Sequence, residues 1–338
     1  MMERRDYQEC RICPRECGID RYSHAGYCGC KAAVKAARAG LHDYEEPFLS
    51  GCRGSGTVFF SGCSLGCVYC QNRQISGNEP FGLQISEERL AQIFLEQQDI
   101  RKAHNINLVT GTHFIPSIVD ALRSARDQGL TIPVIWNSSG YEKPEYLMQL
   151  NGLVDIFMPD LKTLDPVLGK RYMNAPDYPD RVKEAIACMA EMAGEAMFDP
   201  LPEEEVQDGN RKSPFPSGEE AYAGEQVLMR KGLVVRHLVI PGQTCDSIQV
   251  LKYLYETYGD SIWISLMSQY TPVGKYSRGQ DPEYPELCRR VTDEEYDEVV
   301  DYAIRLGIEN CMIQEEDVAN DSFIPDFDGT GVRPTLIL

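Results

Sequence analysis

Three cysteines at short, unequal spacings, Cys63, Cys67 and Cys70, offer three thiolates to one metal centre. A purely structural metal site is normally closed by a fourth ligand, whereas a four-iron, four-sulfur (4Fe–4S) cluster held by three cysteines leaves one iron open to a small molecule. The absent fourth ligand is the informative feature, and the alternative is a zinc site completed by a distant Cys52 or a histidine. A second group, Cys10, Cys13, Cys17 and Cys28, supplies four soft donors, with Cys30 and Cys52 in reserve. Four thiolates suffice to close a site for zinc or for an auxiliary iron–sulfur cluster. The remaining cysteines, Cys188, Cys245, Cys288 and Cys311, stand alone and read as packing residues.

The 338 residues carry 33 Lys+Arg against 52 Asp+Glu, a formal net charge of −19. That balance, with no basic patch interleaved with aromatics, excludes nucleic acid as the expected partner. The glycine-rich stretch Gly51-Cys52-Arg53-Gly54-Ser55-Gly56 precedes a strand and lacks a Gly-Lys-Ser/Thr ending, so it is no phosphate loop. No apolar run reaches the roughly 20 residues that cross a bilayer, and the first residues lack the apolar core of a secretion signal. A cytoplasmic protein without membrane contact is expected. In that reducing compartment clustered thiols serve metals or redox chemistry rather than disulfides.

The elements that must position the cysteines follow a simple rhythm. Short β-branched or aromatic runs at 58–61, 106–110, 132–136, 153–158, 233–240 and 261–267 alternate with helical patterns, the signature of βα units around a parallel sheet. Ser86 caps a helix opened by Glu87 and Glu88 and stapled by Ile85 to Leu90. Pro116 starts the next, with Gly129 at its end. Further helices fall near 144–150, 180–193 and 247–258, and the last, 293–306, opens with a Thr292/Glu295 capping box. Six repeats predict an α/β fold, a partial (β/α)6 barrel, with functional groups at the C-terminal strand ends. Residues 1–53 form a cysteine-rich N-terminal extension, 54–315 the barrel and 316–338 a tail. Within the barrel, 195–225 holds nine acids, two bases and four prolines and reads as an acidic insertion, its charge serving solubility.

Cys63-Ser64-Leu65-Gly66-Cys67-Val68-Tyr69-Cys70, with an aromatic before the last cysteine, resembles the hallmark of the radical S-adenosylmethionine (SAM) superfamily. The likeness covers most of 54–315 and points to the branch around the pyruvate formate-lyase activating enzyme. It implies a 4Fe–4S cluster on Cys63, Cys67 and Cys70 that binds SAM, and an electron that splits the sulfonium to a 5′-deoxyadenosyl radical. Thr110-Gly111-Thr112 stands where relatives carry Gly-Gly-Glu, so a main-chain contact to the methionine amino group is implied; the neighbouring His113 reads equally as packing. Lys162 of Asp160-Leu161-Lys162 is implied as the carboxylate partner. Asp160 is implied, with Asn137, Ser138 and Met158, near a monovalent cation. Arg236 is implied to reach the cofactor, while His237 reads as a hydrogen-bonded strand residue. Ser268-Gln269-Tyr270 replaces a histidine region of the activating enzymes.

The N-terminal spacing together with Gly26-Tyr27-Cys28-Gly29 and the stretch 41–47 is similar to a little-characterised subgroup of activating-enzyme-like proteins. His42, Glu45 and Glu46 either border a substrate entrance or are solvated loop charges. A low-potential donor such as flavodoxin or ferredoxin is implied. The substrate is a protein glycine, as in glycyl radical enzyme activation, or a peptide or small molecule. A metal-binding scaffold without catalysis is the competing class.

Overall fold

The computed structural model describes residues 5–201, 227–314 and 324–334. Ten strands form the sheet: β1 (Val34–His42), β2 (Ser55–Phe60), β3 (Leu83–Ile85), β4 (Ile106–Val109), β5 (Val134–Ser138), β6 (Ile156–Pro159), β7 (Met197–Pro200), β8 (Val227–Leu238), β9 (Trp263–Met267) and β10 (Cys311–Ile313). Their order is β10-β9-β8-β6-β5-β4-β2-β1-β3, with β7 paired to β8 outside this path. From β2 to β10 every neighbour on the path is parallel. The edge strands β10 and β3 do not meet, so the barrel is partial, as the six repeats predict.

Strands β2, β4 and β6 are buried along their whole length, because helices cover one face and the barrel interior the other. Helix Glu87–Asp99 starts where expected, the Ser86 hydroxyl accepting the Arg89 N–H. Helix Asp293–Leu306 has the full Thr292/Glu295 capping box. The segment at 144–150 is shorter than a regular helix: Pro144–Leu147 is α-helical and Met148–Leu150 continues as a 3-10 turn.

Several elements depart from expectation. Strand β1 lies inside the N-terminal extension and pairs antiparallel with β2, so residues before 54 share the barrel's sheet. Strand β10 adds a seventh parallel strand beside β9. Helix Pro166–Met173, capped by Asp165, fills the crossover before helix Tyr178–Ala193. Of the acidic insertion, 202–225 lie outside the described residues. The described start enters β7, antiparallel to β8. In the tail, Gly329 and Thr330 bond to β1, and Phe327 meets Phe59 edge-on at 5.3 Å. Among the described residues no helix is long and apolar enough to cross a membrane.

Candidate active site

At the C-terminal ends of the parallel strands lies a cavity of about 280 Å³. It is bordered by Cys63, Cys67, Tyr69 and Cys70 after β2, Thr110 after β4, Asn137 and Ser138 on β5, Asp160 and Lys162 after β6, Arg236 on β8 and Gln269 after β9. Six different strands thus deliver at least one group each to a shared space, which is what this architecture does with its strand ends.

The cysteine loop leaves β2 through Gly62, whose positive φ and close approach to Cys28 O, at 2.5 Å from where a Cβ would stand, admit no side chain. The Leu65 N–H donates to Cys63 Sγ at 3.4 Å and the Ser76 hydroxyl to Cys70 Sγ at 3.2 Å. Burial pushes the Cys63 and Cys67 thiols up, and Cys70 adds to the shift in both. Three thiols crowded in this way ionise together only around a positive centre, which is the chemistry of a cluster site. Tyr69 is buried, with its ring edge-on to Tyr172 and Tyr270. The donor set therefore fits an iron–sulfur cluster with three protein ligands.

Lys162 Nζ donates to Asp160 Oδ2 at 2.6 Å, while its backbone N–H bonds the Tyr178 hydroxyl at 3.0 Å. Burial alone would lower the lysine, but Asp160 prevails and holds it well above its ordinary value, so the ammonium stays charged. Asp160 is thereby occupied by a cation of this chain. Met158, expected near a monovalent ion, is instead wholly buried and packs with Ile135, Ile156 and Val234.

Thr110 adopts φ 61°, a left-handed conformation costly for a β-branched residue, and its N–H bonds Asn137 O at 2.8 Å. Of Thr110-Gly111-Thr112 only Thr110 borders the cavity. A Cβ at Gly111 would stand 2.7 Å from Ile118 and 2.9 Å from Trp136, and the Thr112 hydroxyl donates to Glu142 at 2.8 Å.

Glu142 itself was not foreseen. Fully buried, it accepts hydrogen bonds from Thr112, Trp136 Nε1 at 3.0 Å and the Ser138 hydroxyl at 2.5 Å. Burial raises its carboxyl despite those three donors. It fixes the Ser138 rotamer and ties the loops after β4 and β5 together. Nothing in the local pattern announces a buried acid four residues after Ser138.

Arg236 differs most from expectation. Its Nε donates to Glu46 Oε1 at 2.9 Å and its Nη2 to both Glu46 and Glu45. Asn107 Nδ2 completes the clasp on Glu45 at 2.7 Å. Glu45 and Glu46 are buried rather than solvated, and they engage the guanidinium through Nε and Nη2 on the cavity wall. Arg236 holds Glu46 below the carboxylate range against its burial. His42 also borders the cavity, edge-on to Tyr44 and Phe59, and burial lowers its pKa.

The other histidines have structural partners. His237 lies between Leu161 O at 2.7 Å and the Ser247 hydroxyl at 2.9 Å, and burial lowers it to about 4. His113 Nε2 donates to Ser61 O at 2.8 Å, away from the cavity. Gln269 accepts the Gln71 side-chain amide on its carbonyl at 3.2 Å, and the Tyr270 hydroxyl is spent on Leu287 O.

Residues 57–200 match the family model of the radical SAM superfamily. The chain is 25% identical over 311 residues to the uncharacterized protein MJ0674 of Methanocaldococcus jannaschii, covering 90% of this chain and 76% of that one. Among solved structures, Streptococcus suis SuiB bound to S-adenosylmethionine is similar with a TM-score of 0.44 and 13% identity, over 75% of this chain and 48% of that one. The FeFe-hydrogenase maturase HydG from Carboxydothermus hydrogenoformans follows at TM-score 0.41 and 12% identity, over 79% and 59%. The chain spans about half the length of the SuiB structure it matches.

Proposed function

We propose, from a radical SAM domain over residues 57–200, that this protein reductively cleaves S-adenosylmethionine and abstracts a hydrogen atom from a peptide or protein substrate, a glycine Cα–H included. When bound, a 4Fe–4S cluster with SAM supplies the electron and the 5′-deoxyadenosyl radical. Cys63, Cys67 and Cys70 hold the cluster. Lys162, kept charged by Asp160, would bind the methionine carboxylate, and the strained Thr110 main chain would serve its amino group. Ser138, whose hydroxyl donates to Glu142 and accepts the Gly140 N–H, borders the cavity. Tyr69 and its aromatic neighbours exclude water beside the cysteines. Arg236 acts as a positioning residue that pins Glu45 and Glu46 on the cavity wall.

The observation that carries this reading is the shared cavity: three cysteines of one loop and polar groups from five further strand ends face each other. Exposed Tyr44 and Ile313 on its border give an apolar rim, which supports a peptide or protein segment as substrate. A low-potential flavodoxin or ferredoxin is the proposed electron donor.

The test is anaerobic reconstitution with iron and sulfide, then reduction with SAM present. Formation of 5′-deoxyadenosine and methionine in equal amounts is expected, with both product and cluster lost in Cys67→Ala. An intact cluster that never yields 5′-deoxyadenosine would overturn the proposal in favour of a metal-binding scaffold.

A further inference from the structure

The N-terminal cysteines are a second concentration of sulfur that the proposed reaction does not use. Cys10, Cys13 and Cys28 are buried at 6%, 7% and 6% exposure, Cys17 is half-buried, and all four are free thiols. Tight backbone turns bring them together: Gly18 N bonds Cys10 O at 2.9 Å, Glu16 N bonds Cys13 O at 3.0 Å, and both Glu16 and Gly18 take positive φ. The Tyr27 N–H donates to Cys17 Sγ at 3.4 Å and the Arg15 N–H to the Cys13 sulfur. The bond from residue i+2 to the sulfur of Cys13 repeats that of Leu65 to Cys63 in the other cysteine loop. A Cβ on Gly26 would sit 3.5 Å from Cys28 Sγ and 3.8 Å from Cys17 Sγ, so that glycine's bare face accommodates both sulfurs.

Arg21 supplies an independent argument. It has no exposed surface, and its guanidinium donates to three carbonyls, those of Cys30, Lys31 and His113, and to Cys10 Sγ at 3.9 Å. Among the described residues none of its partners is a carboxylate. A permanent cation buried without a counter-ion costs several kcal/mol or more, so an anion belongs beside it. Thiolates bound to a metal centre supply one.

We propose that Cys10, Cys13, Cys17 and Cys28 hold a second, fully ligated iron–sulfur cluster with Arg21 as its buried counter-ion. Among the described residues no three His, Cys, Asp or Glu side chains gather around a single-ion position, at this group or at Cys63, Cys67 and Cys70. Four thiolates would close every corner of a cubane, leaving no iron open. The site abuts the first cysteine loop, where Arg15 donates to Ser64 O and Leu65 O at 2.8 and 3.1 Å.

The test uses the full chain with Cys63, Cys67 and Cys70 all replaced by Ala, prepared anaerobically with iron and sulfide. About four iron and four sulfide per chain, with the Mössbauer signature of a 4Fe–4S cluster, are expected to remain. Adding Cys17→Ser, at the most accessible of the four, is expected to reduce iron to background while circular dichroism stays unchanged. Arg21→Gln in the three-alanine background is expected to make the remaining cluster harder to reduce. Background iron in the three-alanine chain despite native circular dichroism, equimolar zinc in place of iron, or iron unaffected by Cys17→Ser would each overturn the proposal. Failure of the wild type to cleave SAM would sink the proposed function but leave this iron count standing.

Discussion

Under the proposed function, Lys162 is a side chain readied before its ligand arrives. Its ammonium is fixed by Asp160 at one end and its backbone by Tyr178 at the other, so binding a carboxylate needs little further ordering. A charge-assisted hydrogen bond contributes about 1.5–3 kcal/mol. Lys162→Met is therefore expected to weaken SAM binding by roughly tenfold to a hundredfold with cluster content unchanged, as read by calorimetric titration of the anaerobic protein. Unchanged affinity would remove Lys162 from the site. At this scale the convergence of Cys63, Cys67, Cys70 and Lys162 on one cavity was legible, the cysteines from their spacing on one loop and Lys162 because it follows a strand end. Glu142 was not, since its burial depends on Thr112, Trp136 and Ser138 converging from separate positions in the chain. His237 was legible as a strand residue, and its two partners bear this out.

Among the elements, the clasp of Arg236 on Glu45 and Glu46 joins the segment after β1 to β8 across the sheet. Removing the cation leaves two buried carboxylates uncompensated. Arg236→Met is expected to destabilise the chain by about 3–5 kcal/mol, measured by urea unfolding. Adding Glu45→Gln and Glu46→Gln should recover part of that loss; no recovery would mean that the guanidinium acts through packing alone. The clasp escaped sequence reading because ion pairs between residues so distant in the chain leave no periodic trace. Strand β1 escaped because its alanines and glycine have weak strand propensity, and pairing with β2 imposes the conformation. Strand β10 is three residues long, too short for an alternation to register. The six principal parallel strands and the capped helices were legible because they repeat one local pattern.

For the molecule as a whole, the open sheet gathers Cys63, Cys67, Cys70, Asp160 and Lys162 at one end, and the N-terminal segment contributes Glu45 and Glu46 to the cavity and a strand to the same sheet. The account stands on one iron being left without a protein ligand at Cys63, Cys67 and Cys70. Electron–nuclear double resonance on the reduced protein, with SAM labelled by 15N and 17O in its amino and carboxylate groups, examines that iron directly. Hyperfine coupling to both labels, lost in Cys67→Ala, is the predicted result. A reduced cluster at this site with no coupling to either label would contradict the account.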